Sequence, residues 1–148
     1  MSGHVYPCGR DVIETVLPHR PPFLWLSRVV SCEPGASIKA EFDLAVEEPV
    51  FNGHFPTYPV FPGVLVMEAL AQAACFCILT ARAKEGSVGF LTGIDKARFR
   101  RQVLPGETLC LEAHIVRDSS RLCVAEVRAT VEGAVCATAT QTYVLGKH

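Results

Sequence analysis

Residues 52–72 read Asn52-Gly53-His54-Phe55-Pro56-Thr57-Tyr58-Pro59-Val60-Phe61-Pro62-Gly63-Val64-Leu65-Val66-Met67-Glu68-Ala69-Leu70-Ala71-Gln72, and the apolar run continues to residue 81. Pro56, Pro59 and Pro62 stiffen an extended loop, whereas Ala, Leu, Met, Glu and Gln dominate from Gly63 onward and favour helix. The pattern predicts a helix from Gly63 to about Ala83, roughly 30 Å long at about 1.5 Å per residue. Glu68 is the only charged residue from 60 to 81. A helix that is apolar all round must be wrapped by other elements. Pro62, Gly63, Glu68 and Gln72 inside the run argue against a membrane span.

The flanks supply the wrapping. Residues 37–44 alternate: Ile38, Ala40, Phe42 and Leu44 face one way, and Ser37, Lys39, Glu41 and Asp43 the other. That period of two is a half-buried strand. Residues 23–32 read as its hairpin partner across Glu33-Pro34-Gly35. After Glu85-Gly86, strand-like runs recur at 88–101, 108–117, 121–131 and 134–144, broken at Pro105-Gly106, Asp118-Ser119-Ser120 and Glu132-Gly133. Short turns make such strands antiparallel neighbours. The fold class expected is α+β, a curved antiparallel sheet wrapped around one long central helix. Residues 11–16 suit a short helix capped by Asp11, and the prolines at 18, 21 and 22 enforce an extended crossing. Residues 1–10 read as a flexible N-terminus ahead of one domain over 11–148.

The totals narrow the function. The chain of 148 residues carries 14 Lys and Arg against 15 Asp and Glu, a net charge of −1, which offers no bulk attraction to nucleic acid or anionic membranes. Seven cysteines lie in apolar segments with no Cys-x-x-Cys pair, so they read as reduced core residues, not disulfide or metal ligands. Cys75 and Cys77 fall on different helix faces and cannot chelate one metal. No secretory signal is visible, which points to the cytoplasm.

Three segments together are specific. The chain resembles hotdog-fold 3-hydroxyacyl-(acyl carrier protein) dehydratases of the FabZ type in Leu17-Pro18-His19-Arg20-Pro21-Pro22-Phe23-Leu24, in Gly53-His54-Phe55-Pro56 through Glu68-Ala69-Leu70-Ala71-Gln72, and in Phe90-Leu91-Thr92-Gly93-Ile94-Asp95 through Pro105-Gly106-Glu107. The resemblance implies a hotdog fold and dehydration of (3R)-3-hydroxyacyl carrier thioesters to trans-2-enoyl thioesters, in fatty acid or polyketide biosynthesis. It implies His54 and Glu68 as the catalytic pair, meeting across the interface of a homodimer that can assemble further as a trimer of dimers. No metal or redox cofactor is expected, because the pantetheine arm arrives on the acyl carrier protein.

The chemistry accounts for these residue types. Elimination needs a base at C2 and an acid at the C3 oxygen. Neutral imidazole suits the first task, and a carboxyl held protonated in an apolar site suits the second. The N–H groups at the start of the helix can polarise the thioester carbonyl, and the resemblance assigns that donor to Gly63. Gln72, four residues after Glu68, can hydrogen-bond the carboxylate. Lys96, Arg98 and Arg100 alternate along one predicted strand face, and Arg100 with Arg101 could steer an acidic carrier protein. His19 is expected to make a structural hydrogen bond to a backbone carbonyl.

The chain departs from the family's usual pattern at Thr57, Phe61 and Ser27, where glycine, methionine and aspartate are usual. Phe61 would enlarge an aromatic wall near the acyl path and suggests an altered acyl preference. Glutamate at 68, where related dehydratase-isomerases have aspartate, favours dehydration without isomerisation. Two alternatives carry the same fold: an acyl thioesterase, and a non-catalytic carrier-binding subunit.

Overall fold

The alternation read over 37–44 forms strand β2 (Ser37–Asp43), in which Ile38, Ala40 and Phe42 are buried. A computed structural model describes residues 4–82 and 87–147 of the chain. Strand β1 (Arg28–Glu33) pairs with β2, and β4 (Thr108–Asp118), β5 (Leu122–Val131), β6 (Ala134–Lys147) and β3 (Ser87–Phe99) complete a six-stranded sheet in the order β1-β2-β4-β5-β6-β3. Every pairing is antiparallel. The inner face mixes small residues with large ones: Ala40, Ala113, Ala125, Ala129 and Ala137 are fully buried beside Phe42, Leu109, Leu111 and Tyr143, with Ala113 opposite Val127 and Ala129 opposite Ala137.

That face accepts helix α3 (Gly63–Arg82), which contacts all six strands. Every residue from 69 to 80 is buried. Full burial of side chains such as Leu70, Phe76 and Ile78 contributes about 2 kcal/mol each. The apolar run is thus a core helix. The predicted end at Ala83 and the break at Glu85-Gly86 lie outside the described residues.

Local chemistry moves several expected boundaries. Helix α1 runs Arg10–Val16 with Gly9 as its N-cap, so Asp11 sits in the first turn and makes no side-chain cap. The strand expected over 23–32 begins only at Arg28, because residues 24–26 bond elsewhere. Trp25 N–H donates to Gln72 Oε1, and the Arg10 guanidinium donates to the carbonyls of Leu24 and Leu26. The loop over 45–62 contains a short helix α2 (Val50–Gly53).

The two sheet edges differ. Cys8 exchanges both backbone hydrogen bonds with Val29 and covers part of β1, so the described part of the segment expected to be flexible is tied down there. Edge strand β3 has no such cover among the described residues and exposes Phe90, Ile94 and Phe99.

Candidate active site

Helix α2 ends at His54, whose N–H donates to Val50 O at 3.1 Å and whose carbonyl accepts from Val60 N–H at 2.9 Å. The imidazole Nδ1 lies 2.9 Å from Val60 O. A carbonyl oxygen only accepts, so Nδ1 carries the ring proton and Nε2 presents a lone pair. The ring stacks on Phe55 at 4.0 Å between centroids. Nε2 is thereby prepared to take a proton.

The first turn of α3 borders the same cleft, of about 450 Å³, lined by His54, Phe61, Gly63, Phe99 and Arg100 among others. Leu65 and Val66 N–H return to Pro62 O, leaving Gly63 N–H ahead of the first helical bond. A Cβ at position 63 would sit 2.9 Å from Phe99 Cε1, so glycine is required for the aromatic ring to lie against the helix start.

Glu68 opens onto a different cleft of about 400 Å³, with His19, Gln72, Cys75 and Gly89 in its walls. Within one chain the carboxylate is not fully buried; its side chain is 24% exposed. Gln72 Nε2 donates to Glu68 Oε2 at 3.1 Å and to Phe23 O at 3.0 Å, while Gln72 Oε1 accepts Trp25 N–H at 2.8 Å. The expected hydrogen bond from Gln72 to Glu68 is made, and Gln72 also fastens residues 23–25 to the helix.

His19 was not read as part of this site, yet its Nε2 stands 3.7 Å from Glu68 Oε2. The expected hydrogen bond to a backbone carbonyl is not made: among the described residues Nδ1 is buried without a partner. Burial holds the imidazole's pKa below its ordinary value, partly offset by the Glu68 charge. The sequence signal was the rigid Pro18-His19-Arg20-Pro21 setting, which could not say what the ring would face.

The basic residues separate. β3 bulges between Asp95 and Arg98, with Lys96 at φ 57°, so the regular alternation expected through Arg100 is broken. Lys96 faces a depression with Glu112 and Arg128, whereas Arg100 is exposed at the His54 cleft. Arg101 bonds both carboxylate oxygens of Glu107, at 3.0 and 2.6 Å, and that contact raises its pKa and lowers that of Glu107. Glu107 also accepts Leu104 N–H, so the pair fastens the loop after β3. Phe61 lines the cleft but is 4% exposed, packed edge-on to Trp25 and against Phe42 and Phe51.

A family model described as FabA-like domain matches residues 17–140. A 3-hydroxyacyl-[acyl-carrier-protein] dehydratase FabZ from Listeria welshimeri is 49% identical over 121 residues, covering 82% of this chain and 84% of the relative. The protein of that name from Oceanobacillus iheyensis is 42% identical over 135 residues, covering 91% and 96%. Among solved structures, the dehydratase heterocomplex ApeI:P from Xenorhabdus doucetiae aligns with a TM-score of 0.80 at 18% identity, over 97% of this chain and 93% of that one. Cj0977, a virulence protein from Campylobacter jejuni, aligns with a TM-score of 0.69 at 20% identity, over 98% and 96%.

Proposed function

The chain belongs to the FabA-like family as a 3-hydroxyacyl-[acyl-carrier-protein] dehydratase of the FabZ type, a hydro-lyase of fatty acid biosynthesis; from that premise we propose that His54 is its base, Glu68 its acid and Gly63 N–H its oxyanion donor. His54 Nε2 takes the C2 proton of the 3-hydroxyacyl thioester, and the electron pair moves toward the carbonyl oxygen held at the start of α3. Collapse of that enolate forms the C2–C3 double bond and breaks the C3–O bond, with the proton from Glu68 leaving in water. Return of the proton from His54 to Glu68 through solvent resets the site. The Val60 contact that fixes the His54 tautomer is the observation that carries the assignment. The steps need no metal or redox cofactor. The thioesterase and carrier-binding alternatives are set aside, since the relatives that cover most of the chain are dehydratases.

His54 and Glu68 line separate clefts of one chain, which supports a composite site in a homodimer. The His54 cleft reaches Phe99 and the Glu68 cleft reaches residues 88–91, so the clefts flank opposite ends of the exposed edge strand β3. Two-fold antiparallel pairing of β3 with its copy would lay each end on the other and cover Phe90, Ile94 and Phe99. Further association into a trimer of dimers is compatible with this pairing. The carrier protein, docked at exposed Arg100, would deliver its pantetheine arm to the His54 cleft. Arg101, already neutralised by Glu107, would shape that rim, with Phe61 as part of its wall. The seven unpaired cysteines suit a reducing cytoplasm.

Mixing His54→Ala and Glu68→Gln proteins under subunit exchange tests the composite site. Random reassortment makes about half of the dimers mixed, each with one intact site, so about a quarter of wild-type turnover should return. No return of activity in verified mixed dimers would overturn it.

A further inference from the structure

Once C2 is placed at His54 and C3 at Glu68, the rest of the acyl chain has one direction left, along α3 into the Glu68 cleft. Glu68, Ala71, Gln72 and Cys75 all line that cleft, and their spacing of three, four and seven residues puts them on one helix face. The stripe is about 10 Å long. Val88, Gly89, Phe90 and Leu91 of β3 form the opposite wall.

At the end of this stripe the Cys75 thiol occupies the place where another residue's Cβ would be. A Cβ built on Gly89 lies only 2.6 Å from Cys75 Sγ, inside any real contact distance, and 3.5 Å from Leu145 Cδ2. The missing side chain at 89 is a notch, and the thiol is seated in it. With any side chain at 89, Sγ must rotate away from β3. The helix around it is packed, with Ala74 and Phe76 fully buried, so the remaining open space is the cleft.

We propose that the Gly89 notch and the Cys75 thiol seated in it set the acyl-chain length this enzyme accepts, by holding the thiol out of the channel beyond Glu68 so that long saturated chains can enter. The inference rests on the catalytic roles proposed for His54 and Glu68. The thiol acts by shape alone. Burial, and secondly the nearby Glu68 charge, push its pKa up to about 12, so it stays protonated and does not add to the electrophilic double bond of the enoyl product.

The measurement is the ratio of kcat/KM for a 3-hydroxydodecanoyl carrier to that for a 3-hydroxybutyryl carrier. In Gly89→Ala the displaced thiol lowers this ratio by about tenfold or more, the effect expected for one misplaced group in an apolar pocket. In the double variant Gly89→Ala, Cys75→Ala no sulfur remains to be displaced, and the ratio returns to within about threefold of wild type on the same scale. A ratio unchanged in a folded Gly89→Ala protein, or a fall that the second substitution does not restore, overturns the proposal. Cys75→Met, made in parallel, covers the case in which Gly89→Ala does not fold: its longer side chain must extend from the notch into the channel, and an unchanged ratio there overturns the proposal equally. His54→Ala and Glu68→Gln are assayed on the short substrate beside these variants. Wild-type turnover in both would overturn the catalytic roles and this inference with them, whereas their inactivity alongside an unchanged ratio overturns the channel alone.

Discussion

The His54 Nδ1 and the Val60 carbonyl oxygen stand 2.9 Å apart, and because only the nitrogen can donate, the ring's tautomer is set by a backbone atom six residues away. Val60 N–H bonds back to the His54 carbonyl at 2.9 Å, closing the loop on itself. The loop therefore fixes both the place and the tautomer of the ring proposed as the base.

Removal of the proposed base should be severe. His54→Ala is expected to lower kcat/KM by about 10²- to 10⁴-fold while leaving the fold intact, as read by circular dichroism and steady-state turnover. A loss under threefold would rule out His54 as the base.

Gln72 links Glu68 to the segment at 23–25. Gln72→Leu deletes the bond to Glu68 and strands Trp25 N–H, which is buried, at a cost of about 1–3 kcal/mol. Denaturant unfolding should register that loss, and kcat should fall more than KM rises. Wild-type stability would mean that water takes over the Trp25 bond.

His19 should make stability acid-sensitive. Its folded pKa lies below the ordinary 6.5, chiefly through burial, so the unfolded chain gains a proton first as pH falls. The stabilisation is complete above about 6.5 and is lost as pH drops from there toward the folded value. Asp43, Glu107 and Glu112, whose pKa values are lowered by arginine partners, add their own losses at lower pH. The comparison is therefore between wild type and His19→Gln, which should lose less stability between pH 7.5 and 5.5, a range chosen to bracket that value. Parallel curves would remove His19 as the cause.

Arg100 and Arg101 should separate in salt. Arg100→Ala is expected to raise KM for the carrier substrate severalfold at low ionic strength and little at high, because exposed steering charges are screened over about 10 Å. Arg101→Ala should instead lower melting temperature by releasing Glu107 from the loop. Salt-independent effects of Arg100→Ala would place the carrier elsewhere.

Phe61 divides between core and cleft. Its edge-on contact with Trp25 and its packing on Phe42 and Phe51 imply that Phe61→Met costs about 1–3 kcal/mol in urea unfolding. The same variant, assayed on aliphatic and aryl 3-hydroxyacyl carriers, reports on acyl preference. An unchanged ratio would leave Phe61 a core residue only.

Much of this was legible in the chain. An all-round apolar helix with one carboxylate, flanked by alternating segments, left little choice but a sheet wrapped around a helix. His54 and Glu68 could be put forward as a pair because three separated segments together resemble one family; a loop histidine by itself is most often an ordinary one. Trp25 shows where that reading stops: its segment has strand composition, but its N–H is taken by the side chain of Gln72, 47 residues away.

Sequence alone determined the central helix and most of the strands, and through the resemblance nominated the reactive groups proposed above, because hydrophobic period and residue chemistry act over short stretches of chain. Only the tertiary structure decided that His54 and Glu68 open onto separate clefts, that His19 faces Glu68, and that the Cys75 thiol rests where Gly89 lacks a side chain. These relations join segments distant in the chain, and their geometry follows from how the sheet curves around the helix.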